Sequence, residues 1–257
     1  MSFFKKMLAS VGIGAARINT ELDTLEVAVG GEIGGTVYLE GGQADQSIDN
    51  IYLKLKTHYI REQGDSKLRE TATIAKYLVT QGFELKAGER KQIPFRFRLP
   101  DRMPVTLRNV PIWIETGLDI DMGVDPKDED LIHVVPDRKM RTVLDAAELL
   151  GFRLREVTND YAPRLGGTLP FVQEFEYAPG GRFYGYLDEL EILFFPKGDT
   201  LELILQVDRR ARGLSGLFAE ALELDERFVR VRLSRDDLLR GPQSVAAQLE
   251  AVIARHI

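Results

Sequence analysis

The chain has 257 residues, 44% of them apolar and 29% charged, with a formal net charge of −6 and no cysteine. That length holds one large or two ordinary domains with real cores, and the mix is that of a soluble globular protein, not a disordered tail. The acidic balance leaves no electrostatic footprint for general nucleic-acid binding. The lack of thiols excludes disulfides, cysteine nucleophiles and thiolate metal sites, and suits a reducing cytoplasm.

The opening MSFFKKMLASVGIGAA joins Lys5-Lys6 to an apolar run that is short, glycine-broken and soon ended by Arg17. It reads as mature sequence and not as a secretion signal. Phe3, Phe4, Met7 and Leu8 fall on an N-terminal helix that docks on its own domain or makes a weak membrane or partner contact. Alternation then dominates. In IPFRFRLP, Ile93, Phe95, Phe97 and Leu99 share one face and Arg96 and Arg98 the other, as a half-buried antiparallel strand requires. The same period predicts strands near 15–22, 24–29, 33–40, 47–60, 67–80, 92–99, 111–116 and 130–135, punctuated by Gly30-Gly31, Gly41-Gly42, Gly64-Asp65, Gly88, Pro100 and Pro104. Many short strands with no helix between them argue a sandwich, not a parallel α/β sheet.

The pattern changes at Pro136-Asp137. Met140, Val143, Leu144, Ala147 and Leu150 recur at helical spacing, Asp137 is placed to cap the start and Gly151 suits the end. Strand-like sequence resumes at 152–157, 169–177, 187–195, 199–209 and 227–233. A last helix begins at about Pro242, with Val245, Leu249, Val252 and Ile253 on one stripe. These readings divide the chain into a β-sandwich over 1–136, a connecting helix over 137–151 and a second β-rich lobe with a C-terminal helix over 152–257. A faint echo links the halves: residues 48–55 and 187–194 share one apolar–polar pattern, and each follows a glycine-rich stretch read as a hairpin, GGEIGGTVYL and GGRFYGYL.

The stretch TGLDIDMGVDPKDED crowds Asp119, Asp121, Asp125, Asp128, Glu129 and Asp130 together. A calcium loop starting at Asp119 needs glycine in sixth place and a bidentate glutamate in twelfth, where this chain has Val124 and Asp130, and Lys127 stands in a ligand's place. An acidic turn with Pro126 fixing φ explains it better. His58, His133 and His256 are scattered, without metal-ligand spacing. No nucleophile elbow, P-loop or dinucleotide fingerprint is present, and GGEIGG leads into a strand where a phosphate cradle needs a helix. Trp113, Phe95, Phe97, Phe171 and Phe175 read as core. No catalytic, cofactor-binding or metal-binding residue is therefore assigned. Two apolar stripes are candidate partner contacts: Leu214, Leu217, Phe218 and Leu222 after an arginine-rich strand end, and Val245, Leu249 and Val252 in the last helix. Each covers its own sheet or meets a partner.

Taken together, MSFFKKMLASVGIGAA, TGLDIDMGVDPKDED, LGFRLREV, LPFVQEFEY, and LDELEILF followed by DRRARGLSGLFAEALELDE resemble the bacterial sporulation-control proteins of the SpoOM type, over nearly the whole chain. The resemblance implies an arrestin-like architecture and a regulatory, non-enzymatic role with regulatory or cytoskeletal protein partners, and it brings no catalytic residues with it. The fold expected is mainly β, arrestin-like, with two antiparallel β-sandwich lobes, a connecting helix and a C-terminal helix. The function expected is that of a cytoplasmic adaptor with protein partners, no cofactor and no nucleic acid. Two other classes stay open: a carbohydrate- or metal-dependent enzyme using acids of 119–130 or 188–191, and a peripheral membrane protein with a weak lipid contact.

Overall fold

The computed structural model describes residues 16–64, 66–108, 110–120, 126–208 and 228–257. The predicted N-terminal helix lies outside them. The chain divides into two compact units: Met1–Thr57, Thr73–Pro100 and Pro111–Val134 in one, and His58–Ala72, Asp101–Val110 and Val135–Ile257 in the other. A linear division would put 58–72 and 101–110 with the first lobe. They group with the second because β4 and β5, of 18 and 20 residues, are long enough to change unit midway.

The first unit carries β1 (Arg17–Leu22), β2 (Glu26–Ala28), β3 (Glu32–Glu40), most of β4 (Gln46–Gln63) and β5 (Ser66–Leu85), then β6 (Arg90–Arg98), β7 (Ile112–Ile120) and β8 (Lys127–Val135). Each coincides with a predicted strand. One sheet runs β1-β3-β6; the other runs β4-β7-β8-β2, with β5 also paired to β4. Val37 and Leu39 of the first sheet pack against Ile48, Ile51 and Leu118 of the second, with Val79, Phe83, Ile93 and Phe95 around them. Each fully buried aliphatic side chain contributes about 1.5–3 kcal/mol, so this sandwich core holds the unit. Gly34 and Gly35 are inside β3 and not in a turn. A Cβ on Gly35 would lie 2.4 Å from the Glu21 carbonyl oxygen and 2.9 Å from the Phe95 ring, so the close approach of β1 and β3 needs glycine.

The second unit is built on α1 (Arg138–Leu149), β9 (Arg153–Tyr161), α2 (Pro163–Gly166), β10 (Phe171–Ala178), β11 (Glu189–Lys197), β12 (Thr200–Asp208), β13 (Phe228–Leu233), α3 (Arg235–Leu239) and α4 (Pro242–Ile253). Its antiparallel sheet has the order β13-β12-β11-β10-β9, and Ile60 at the end of β4 bridges Asp160 of β9 in parallel. The Met140 amide donates to Asp137 (2.8 Å), Gly151 closes α1 at φ 90°, and Val143, Leu144, Ala146 and Ala147 are buried. The architecture is thus mainly β, with two antiparallel lobes, a connecting helix and a C-terminal helix.

Two short helices were not expected. α2 and α3 span 4 and 5 residues, less than the periodicity signal needs. The capping box of α3, Ser234 with Asp237, is still legible in the sequence. The stretch GGRFYGYL lies in the connection of the antiparallel β10–β11 hairpin, where Tyr177 pairs with Leu190, and it forms a 3-10 turn over Gly181–Phe183. The echo between the halves fails at the level of burial, since Asp49, Asn50 and Lys54 of β4 are half-buried or exposed while Glu189 and Glu191 of β11 are buried.

Candidate partner-binding site

Leu214, Leu217, Phe218 and Leu222 lie outside the described residues. Val245 and Leu249 are fully buried and Val252 half-buried in α4, which packs on α1 and β13. An enclosed side chain offers a partner nothing to touch, so Val245 and Leu249 are corrected from candidate contacts to internal packing.

The acidic stretch separates by face. Asp128 accepts a hydrogen bond from the Thr20 amide (2.6 Å), which ties β8 to β1. Asp130 is half-buried, and its pKa is raised by burial first and then by Asp128. Glu129 is exposed, and 121–125 lie outside the described residues. Among the described residues no group of three or more Asp, Glu or His is arranged to hold a metal ion. His58 meets Thr71 (3.1 Å), His133 meets Glu26 (3.1 Å) and His256 meets the Val252 carbonyl (2.9 Å).

Register brings together buried acids that sequence reasoning did not foresee. Glu115 of β7 faces Lys54 of β4, and its carboxylate takes Lys56 at 2.6 Å, Lys54 at 3.5 Å and Lys127 at 3.8 Å. Burial pushes its pKa up, but the Lys56 hydrogen bond and the lysine charges outweigh that and hold it below the ordinary value. Trp113 lies on this same lysine face, in register with Lys56 and Leu131, and so is corrected from core to outer sheet surface. In the second sheet Glu174, Glu189 and Glu191 are buried. The Oε2 of Glu174 has no hydrogen-bond partner among the described residues. Burial, then the charges of Glu191, Asp160, Glu176 and Glu189, raise its pKa well above the usual carboxylate range. Neither described cleft is lined by these acids.

One cleft is a cavity of about 610 Å³ at the end of α1, where Arg108, at φ 57°, donates to the Leu154 carbonyl. The other, of about 460 Å³, lies in the first unit between Lys76–Val79 of β5 and Pro94–Phe97 of β6. Its flanking strands are both sheet edges among the described residues, where β6 pairs with β3 and β5 with β4. The Leu99 amide just past β6 donates to Gly31 on the β3 side, while Tyr77 Oη, from the cleft side, donates to the Arg98 carbonyl (2.9 Å). In an antiparallel ladder the bonding direction alternates, so the backbone groups of Gln92, Pro94, Arg96 and Arg98 point to the open edge. Pro94 has no amide to offer there, a common way of blunting an edge. Tyr77 stacks on Phe97 (4.0 Å between centroids), and Phe97 on Phe95 (5.6 Å), forming an aromatic floor. Arg96 is exposed at the rim, whereas the Lys76 ammonium lies over the Tyr52 ring (3.5 Å) on the outer face of the other sheet, on the same side as Leu78, itself 50% exposed.

The sequence profile described as SpoOM protein matches residues 4–211. The chain belongs to the SpoOM family. The sporulation-control protein spo0M of Bacillus subtilis (strain 168) is 45% identical over 239 residues, covering 93% of each chain. The crystal structure of Spo0M, sporulation control protein, from Bacillus subtilis, superposes with a TM-score of 0.90 at 41% identity, covering 95% of this chain and all of that one. For a SpoOM-family chain the fold is accordingly the one expected from the residues that carry the resemblance. No described helix is long and apolar enough to cross a membrane.

Proposed function

We propose that this SpoOM-family chain is a cytoplasmic regulatory adaptor that binds protein partners and catalyses no reaction. The observation that carries this reading is identity of 45% with a sporulation-control protein along 93% of both chains. The geometry is in keeping with it. The acids that burial perturbs are scattered between Glu115, Asp130 and the second sheet, each held by lysines or by neighbouring carboxylates, and the described clefts open elsewhere. An open sheet edge beside an aromatic floor is chemistry for holding a peptide, since main-chain bonds provide affinity and alternate side chains provide selectivity.

Capture from a native lysate of the source organism at low salt, with the tagged full chain as bait, tests the reading. A stoichiometric protein partner is expected. An empty capture, together with robust turnover in a substrate screen, would reject it.

A further inference from the structure

We infer that the β5–β6 cleft is a strand-addition site for an extended peptide of a partner protein that alternates acidic and apolar residues. The inference rests on the adaptor reading and specifies its contact.

The edge of β6 turns the backbone of Gln92 and Arg96 outward, together with the Pro94 carbonyl, and among the described residues the strand paired with β6 is β3, on its other side. An extended chain laid along Gln92–Arg96 takes these groups into a new ladder, which is what an unpaired edge offers. Tyr77 marks the end of the run, because its hydroxyl already fills the Arg98 carbonyl. Successive side chains of the added strand point to opposite faces. Those on one face meet Phe95, Phe97 and Val79, so they are apolar. Those on the other lie beside Arg96, so they are acidic. Arg96 is exposed and, among the described residues, its ion pair is with Glu32 at 3.8 Å, which leaves its guanidinium able to turn to a partner carboxylate. The chain as a whole is acidic, with net charge −6, and Arg96 beside the added strand favours a negative peptide over a positive one.

The test uses the full chain and a fluorescent, N-acetylated decapeptide of alternating glutamate and valine, read by anisotropy and by amide hydrogen exchange. Binding should slow exchange at Gln92 and Arg96, and the alternating lysine–valine peptide should not bind. Arg96→Gln and Arg96→Pro both remove the cation, but only proline removes the edge amide. Arg96→Pro should therefore bind about tenfold more weakly than Arg96→Gln, the equivalent of one lost backbone hydrogen bond. N-methylation of alternate peptide amides tests the same bond with the protein unaltered: one set of positions should abolish binding and the other leave it intact. Equal losses for Arg96→Gln and Arg96→Pro with both methylated peptides still bound, protection mapping to other strands, or no binding of the glutamate peptide would each overturn the inference. A natural partner captured equally by wild type and Arg96→Pro would also overturn it, while leaving the adaptor reading intact. A wild-type chain that captures nothing and turns over a substrate robustly would remove that reading as well.

Discussion

Glu115 and Glu174 are both buried glutamates, and their surroundings move them in opposite directions. Three lysines hold Glu115 ionised. Replacing its nearest partner, Lys56→Met, leaves a buried carboxylate with only the longer contacts and should cost about 2 kcal/mol in urea unfolding near neutral pH. Because the folded pKa is depressed, that stabilisation is present above the unfolded carboxyl value and lost as pH falls through the folded one. The gap between wild type and Lys56→Met should therefore narrow as the solution is acidified. Glu174 is the reverse case. Its raised pKa means that its contribution is fully present below the unfolded carboxyl value and lost as pH rises through the folded value. Glu174→Gln, which stays neutral, should raise the unfolding midpoint at about pH 7.5 and leave it nearly unchanged at about pH 4. A midpoint that shifts equally at both pH values would show that packing, not charge, sets the difference.

At the scale of elements, β3 and α4 hold the most specific claims. Gly35→Ala forces a Cβ to 2.4 Å from the Glu21 carbonyl oxygen, so β1 must leave its register with β3. A loss of about 2–3 kcal/mol is expected, with faster amide exchange in β1. Leu249 is fully enclosed, so Leu249→Ala should cost about 2–5 kcal/mol in unfolding experiments. A stable Leu249→Ala variant that had lost its partner would restore α4 as a contact surface. The strands themselves were legible because alternation is local: Ile93, Phe95 and Phe97 against Arg96 and Arg98 identifies β6 without any neighbour. The short helices α2 and α3 were not, because a single turn carries no period.

At the scale of the whole molecule, the chain is acidic, and association of a negative peptide at Arg96 depends on charge. Affinity for the glutamate–valine peptide should fall several-fold, to about a tenth at most, between about 50 and 500 mM salt as the Arg96 charge is screened. Salt-independent binding would place the contact on the aromatic floor alone. The candidate contacts read from the sequence were apolar stripes, and α4 shows why such a reading is ambiguous. A stripe that could meet a partner is indistinguishable in sequence from one that meets α1. The edge of β6 left a partial trace in Pro94, which marks a strand with an unpaired side, but its vacancy depends on which strands lie next to it.

By itself the sequence determined that the chain is mainly β, that a helix follows Asp137 and another follows Pro242, and that its motifs are those of the SpoOM family. Each is written in local spacing or in residues that can be read one after another. Tertiary structure alone decided that Lys54, Lys56 and Lys127 gather on Glu115, that three glutamates are buried together in the second sheet, and that, among the described residues, β5 and β6 are sheet edges flanking one cleft. Those facts depend on pairing and register between segments tens of residues apart, and period-two alternation tells a strand which face is apolar but not which strand lies beside it.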